Sequence, residues 1–305
     1  MIVCGPTGSG KSALAVALAE RFDGEVVNCD SVQVYRHFDI GTAKIATGER
    51  RGVPHHLIDI VEPGALFTAG DYVRLARAAL TGISQRGRLP IVAGGTGFYL
   101  RALLFGLFDG PPRNEPLRHK LQERERRRPG TLHRMLERWD PVAATRIHAN
   151  DVNKTTRALE VIVTEKRSLT NLFQRGRDPL TGYRMLTLGL NPPRAELYAR
   201  LEARAQAMFD RGLIEEVRAL LERGIAETAK PFESLGYAQA LASIRGAITP
   251  EQAVAETTMY TRRYAKRQWT WFRREPGIEW MNGFEGDPAV EHAAIERVTR
   301  FLAPS

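Results

Sequence analysis

Cysteine is nearly missing from this chain. Cys4 and Cys29 are the only two in 305 residues, which excludes a disulfide framework and points to a reducing compartment. Both fall at the ends of apolar runs, where buried, unreactive thiols are expected. Two cysteines without a matching histidine cluster make no zinc site either. No stretch reaches the roughly 20 apolar residues that a membrane-spanning helix requires, although 43% of the residues are hydrophobic, enough for a packed core. Internal repeats and low-complexity tracts are absent. No cleavable signal precedes Ile2–Cys4, which reads as the first strand itself, short as though a few leading residues were missing. A cytoplasmic protein is expected. Acidic residues do not balance the basic ones: 44 Lys and Arg face 35 Asp and Glu, a formal charge of +9 with a pI near 9.8. A simple metabolite kinase does not need that excess, whereas a polyanionic partner such as RNA calls for it. An arginine-rich proteome would account for the same number.

What is present begins at once. Gly5-Pro6-Thr7-Gly8-Ser9-Gly10-Lys11-Ser12 fits the phosphate-loop pattern G-x-x-x-x-G-K-[ST] at every fixed position. It follows an apolar run and precedes Ala13–Phe22, a strong helix former. Strand, glycine-rich turn and helix N-terminus together make an anion site, because backbone N–H groups converge on phosphate oxygens. Lys11 would add a point charge on the terminal phosphate, and the Ser12 hydroxyl a ligand for Mg²⁺. The loop implies a bound polyphosphate without saying which.

Further strands are read at 25–29, 56–60 and 89–93, with helices at 13–22 and about 69–85 between them. This alternation predicts an α/β fold with a parallel sheet covered on both faces. Ligands of such sheets sit at the carboxyl ends of the strands, so Gly5–Ser12, Asp30 and Gly94–Gly97 should converge on one crevice. Asp109-Gly110-Pro111-Pro112-Arg113 is a breaker, and polar, arginine-rich helical sequence follows, including 117–128 and 151–166. The chain is therefore read as a phosphate-loop core at 1–111, a helical insertion at 112–182, and the rest of the core at 183–305. In that last part, strands are expected at 184–190 and 278–281, and long helical patterns at 194–222 and 250–272.

Asp30, at a strand end opposite the phosphate loop, could hold Mg²⁺ or act as a general base. Asp-Ser before a turn is equally a capping signal, and the residues alone leave these readings even. Gly94-Gly95-Thr96-Gly97 is a second glycine-rich strand-to-helix turn. It could bring Thr96 and backbone amides to another anionic group, or it could simply need glycine backbone angles. Residues 262–274 hold six Lys or Arg and four aromatics, at 264, 269, 271 and 272. Basic and stacking groups suit an RNA backbone and its splayed bases. An amphipathic helix with its aromatics in the core would look the same, and both readings are expected to hold in part. His55-His56 should point to opposite faces of a strand, which argues against joint metal ligation. Arg124–Arg128 is most simply a solvated helix face.

Taken together, the motifs resemble the tRNA dimethylallyltransferases, isopentenyl transferases that modify the adenosine next to the anticodon. The resemblance rests on GPTGSGKS at 5–12, DSVQVYRHFDIGTAK at 30–44, GVPHHLIDI at 52–60, GGTGFYLRALLFG at 94–106, RALEV at 157–161 and TRRYAKRQWTWFRR at 261–274. It implies a phosphate-loop core with a helical insertion that grips the anticodon stem-loop. It also implies that Gly5, Pro6, Thr7, Gly8, Ser9, Gly10, Lys11 and Ser12 hold the diphosphate of dimethylallyl diphosphate, with Mg²⁺ on Ser12 and Asp30. Asp30 would be the general base on the exocyclic amine, with Lys11 and Thr96 completing the catalytic set. Asp30, Ser31, Val32, Gln33, Thr96, Arg118, Asn153, Lys154, Thr155, Thr156 and Arg157 would contact tRNA. Two departures stand out. Asn153-Lys154 replace the usual Gln-Arg, keeping a charge without arginine's bidentate fork, and Tyr237-Ala238-Gln239 replaces Tyr-Lys-Glu. No zinc-finger extension is visible, as in the bacterial form, and a monomer is expected.

Three other readings compete. A nucleotide or small-molecule kinase explains the phosphate loop but leaves the 30–44 block and the basic aromatic stretch idle. A transferase acting on free adenine nucleotides should not need a large basic insertion. An RNA-binding module without catalysis would not require Lys11, Ser12 and Asp30 at converging strand ends.

Overall fold

The computed structural model describes residues 1–108, 110–173 and 176–303, so Asp109 of the predicted breaker lies outside the described residues. The chain divides into two compact units. One is Met1–Leu103 with Thr181–Ser305, the other Leu104–Leu180.

In chain order the elements are β1 (Ile2–Cys4), α1 (Lys11–Arg21), β2 (Gly24–Asn28), β3 (His55–His56), α2 (Ala69–Gln85), β4 (Leu89–Ala93) and α3 (Gly97–Phe105). Then come α4 (Glu115–Arg127), α5 (Thr131–Trp139), α6 (Pro141–Arg146), α7 (Val152–Glu165) and α8 (Leu169–Phe173). The chain returns through β5 (Thr187–Leu190), α9 (Arg194–Asp210), α10 (Leu213–Glu222), α11 (Tyr237–Ile244), α12 (Pro250–Phe272), β6 (Ile278–Met281) and α13 (Pro288–Leu302).

The expected α/β class with a parallel sheet is what folds. Six strands run parallel in the order β3-β2-β4-β1-β5-β6. β1 and β2 are buried along their whole length, as near-continuous apolar strands covered on both faces should be. One face of the sheet packs on α1 and α13 through Leu14, Leu18, Leu188 and Val298. A second cluster, including Tyr35, Phe38, Leu213 and Tyr237, anchors the 30–44 segment on α10 and α11. The order matters for the site. β2, β4 and β1 are consecutive, so the loops after them emerge side by side.

Local chemistry sets several boundaries. α2 starts in a capping box, with Thr68 and Asp71 satisfying each other's backbone amides. α12 starts the same way, at Thr249 and Gln252 with Pro250 in the first turn. Two expectations change. The single helical pattern at 194–222 is broken into α9 and α10, because Gly212 takes φ 91°. The strand expected at 56–60 shrinks to His55–His56, since Leu57 and Asp59 adopt φ 63° and 56°. From there the chain follows the 33–35 segment instead, with Asp59, Ile60 and Val61 amides donating to Gln33 and Val34 carbonyls.

The Leu104–Leu180 unit carries its own core of Leu121, Leu132, Leu136, Ala158, Leu159 and Val161. A helical pack with its own apolar centre is what independent compactness requires.

Candidate active site

The phosphate loop turns sharply after β1. Gly8 and Gly10 sit at φ 80° and 92°, backbone angles that a side chain would strain. Ser9 is buried and its hydroxyl donates to Pro6 O at 2.8 Å, while Lys11 Nζ donates to the same carbonyl at 2.8 Å. α1 begins at Lys11 with Gly10 as N-cap and no side-chain cap. Its first amides are therefore left for an anion, at the positive end of the helix dipole.

Thr7, Lys11, Ser12, Asp30, Gly95 and Arg204 line one cleft of about 720 Å³. Asp30 follows β2, and its Oδ1 accepts from the Val32 and Gln33 amides at 2.8 and 3.2 Å. The Asp30 carboxylate ties a turn, not a helix, and lines the cleft at the same time. Gln33 is held by its own bond to Thr42 O at 3.1 Å.

Arg204, on α9, carries no motif signal in the sequence. The fold brings its Nη1 to 3.5 Å from Thr7 Oγ1. Desolvation, then the Arg204 charge, lowers the Lys11 ammonium from its ordinary range to about 8, against the pull of Asp30. Burial likewise lowers Arg204 to about 10, again opposed by Asp30. Lys11 and Arg204 are thus two desolvated cations beside Asp30, in a cleft whose wall also carries Glu285, paired with Arg200 at 2.8 Å.

The second glycine turn works differently from either expectation. Gly94, Gly95 and Gly97 are outside the left-handed region, so backbone angle does not demand glycine. Space does. A Cβ at Gly94 would lie 2.1 Å from Cys29 O, at Gly95 2.2 Å from Gln268 Nε2, and at Gly97 2.3 Å from the Trp271 ring. The Thr96 and Gly97 amides donate to Cys29 O and Gly95 O, at 3.2 and 3.1 Å, so they are not offered to an anion. Thr96 Oγ1 accepts from the Ser31 amide at 3.2 Å. It ties this turn to the Asp30 turn. The phosphate loop also loses a donor, because the Thr7 amide donates to Gln268 Oε1 at 2.7 Å. Thr7 is left with its hydroxyl for the cleft.

Beside the main cleft, a smaller cavity of about 330 Å³ shares Thr7, Asp30, Arg204 and Tyr264 and has an apolar wall including Leu201 and Met208.

On α12, Trp269 and Phe272 are buried and Trp271 packs on Gly97, so these aromatics serve the core. Arg263, Lys266, Arg267, Arg273 and Arg274 are exposed. Tyr264 and Arg267 line the smaller cavity, with the guanidinium over the ring at 5.7 Å. His55 and His56 have separate partners, Val53 O at 2.8 Å and Glu25 Oε2 at 2.6 Å.

In the Leu104–Leu180 unit, the buried Glu160 gathers Arg118 at 3.2 Å, Arg157 at 2.7 Å and the Asn114 amide at 2.6 Å. Arg157 also donates to Pro111 O at 2.8 Å. Thr155 and Thr156 are 1% and 0% exposed, with the Thr155 hydroxyl on Asp151 O. They face the interior of the unit, as one side of an amphipathic helix must. The exposed part of that stretch is Asn153 and Lys154, the latter paired with Asp151 at 2.6 Å.

Comparison with known proteins gives this geometry a family. The sequence pattern of the family described as IPP transferase matches residues 33–275. A Solibacter usitatus (strain Ellin6076) protein named tRNA dimethylallyltransferase is 60% identical over 98% of this chain and 98% of its own. A full-length tRNA isopentenylpyrophosphate transferase from Bacillus halodurans, solved by crystallography, is 37% identical with a TM-score of 0.72, covering 99% of this chain and 94% of that one. A eukaryotic dimethylallyltransferase caught acting on tRNA superposes with a TM-score of 0.84 at 27% identity, over 99% of this chain and 79% of that one. The chain belongs to the tRNA dimethylallyltransferase family.

Proposed function

We infer that this prenyltransferase moves the dimethylallyl group of dimethylallyl diphosphate onto the exocyclic amine of the adenosine 3′-adjacent to the anticodon in tRNA, releasing diphosphate. The observation that carries the mechanism is the cleft that brings together the phosphate loop, the desolvated cations Lys11 and Arg204, and the Asp30 carboxylate. Transfer breaks the allylic C–O bond, and its electron pair leaves with diphosphate. A C–N bond forms, and the amine proton must go elsewhere. Lys11, Arg204 and the uncapped amides of α1 face the charge that grows on the leaving group, the kind of stabilisation expected to dominate. Asp30 takes the proton as the amine attacks. The apolar wall at Leu201 and Met208 suits the five-carbon group, and Thr96 holds the Asp30 turn in register.

Among the described residues, no three His, Cys, Asp or Glu converge as a metal site. A Mg²⁺ ion would rest on the Ser12 hydroxyl and the Asp30 carboxylate, a sparse set of hard oxygen donors of the kind that ion uses together with phosphate oxygens and water. Bound there, it would neutralise diphosphate charge. For tRNA, the exposed bases of α12, Ser31 to Gln33, and Asn153, Lys154, Arg118 and Arg157 on the helical unit supply contacts. The target base must leave its stack to react, at a cost of a few kcal/mol that such contacts offset. No described helix is long and apolar enough to cross a membrane, and we take the enzyme to work as a monomer in the cytoplasm.

Mass spectrometry of unmodified tRNA after incubation with enzyme, Mg²⁺ and dimethylallyl diphosphate tests the reading. One dimethylallyl group gained beside the anticodon is the expected result. Product on AMP but not on tRNA would reject the acceptor; phosphoryl transfer from ATP with no prenyl product would reject the reaction.

A further inference from the structure

β1 and β4 are neighbours, and their ladder ends where the Gly94 amide donates to Val3 O at 3.1 Å. Beyond that point the two chains diverge into the two glycine-rich turns. The Gln268 side chain fills the gap. Its Oε1 accepts from the Thr7 amide at 2.7 Å, and its Nε2 donates to Gly95 O at 2.8 Å. The carboxamide therefore does the work of one more peptide group in the ladder, delivered from α12, far away in sequence. It is 4% exposed, so neither bond has water as a ready substitute. Gly95 has no room for a side chain because the amide is there. One turn earlier on the same helix face, Tyr264 lines the same cleft.

We propose that Gln268 is a positioning residue: it fixes the separation between the diphosphate-holding loop and the turn that carries Thr96 and, through Ser31, Asp30. The proposal rests on the prenyl-transfer reading for its kinetic consequence but not for its effect on anion binding. Without the carboxamide, the Thr7 amide and the Gly95 carbonyl lose their shared partner and the two turns move apart. The diphosphate would then sit away from the line of attack, and a displacement of about 1 Å can cost about 10²-fold in rate.

The test uses Gln268→Met, which keeps the volume, and Gln268→Glu, which keeps the shape. Gln268→Met is expected to lower kcat/KM for dimethylallyl diphosphate by about 10²-fold. KM for tRNA should stay within about twofold, and inorganic diphosphate should bind about tenfold more weakly by calorimetry. In Gln268→Glu the ionised carboxylate cannot donate to Gly95 O, but the protonated acid can. Its activity relative to wild type should therefore rise as pH falls. Lys11, Asp30, Arg204, Tyr264 and Cys29 around the cleft are common to both proteins, so the ratio isolates the introduced carboxyl. A purely structural role would lower the melting temperature and raise both KM values together, with a ratio independent of pH. That result, or kinetics and diphosphate binding unchanged in both variants, overturns the proposal. If wild type itself makes no prenylated tRNA, the reaction reading fails, and diphosphate affinity still decides the role of Gln268.

Discussion

Asp30 carries two demands with one carboxylate. Its Oδ1 closes the turn through the Val32 and Gln33 amides, which fixes the group beside the phosphate loop. Replacing it by asparagine keeps an oxygen for those amides and removes the base. Asp30→Asn should therefore lower kcat by about 10²–10⁴-fold, the usual size of lost acid–base catalysis, with tRNA binding changed less than about threefold. Near wild-type turnover in a single-turnover assay would show that the proton leaves by another route. Lys11 gives a pH test with a definite sign. Desolvation, then the Arg204 charge, holds its ammonium near pKa 8, and a diphosphate beside it would raise that value. Binding then takes up a proton above about pH 8, so donor affinity should fall as pH rises through 8 and be flat in this respect below it. Calorimetry in buffers of different ionisation enthalpy measures the uptake. Equal enthalpies at pH 9 would remove Lys11 from the diphosphate site.

At the scale of elements, β2 bears a buried carboxylate that the mechanism does not use. Glu25 is 2% exposed, and Arg86 and His56 bond it at 2.7 and 2.6 Å. The Arg86 hydrogen bond, against the cost of burial, holds its carboxyl down at about 2. A depressed carboxylate stabilises the fold fully above its ordinary pKa of 4.5, and that contribution is lost as pH falls through about 2. Glu25→Gln should cost about 1–3 kcal/mol at pH 7 in urea unfolding, with the difference from wild type shrinking between pH 4.5 and 2. A difference that persists at pH 2 would assign the loss to packing. Elements also mark where the sequence was readable. α2 and α12 run over the residues that the helical pattern marks. β3 does not, because its later residues trade the sheet for the 33–35 segment, a choice made by chain neighbours distant in sequence.

For the whole molecule, the charge of +9 has a measurable consequence. Exposed cations on α12 and on the helical unit should release counterions when tRNA binds. With about five phosphate contacts, raising salt from about 50 to 200 mM should weaken tRNA about 10²-fold. The donor, a small anion, should respond far less. A flat salt response in filter binding would mean that the basic excess lies away from the RNA.

The sequence by itself determined the phosphate loop, the alternation that makes a parallel sheet, and Asp30 at a strand end, because each is written in contiguous residues whose spacing has a local physical meaning. It also carried the family motifs. Only the tertiary structure decided that Arg204 joins Thr7 at the cleft, that Glu160 gathers Arg118 and Arg157 while Thr155 and Thr156 turn inward, and that Gln268 bridges the two turns. Those are contacts between elements far apart in the chain, where a lone arginine or glutamine on a helix looks like any other until packing brings its partner within about 3 Å.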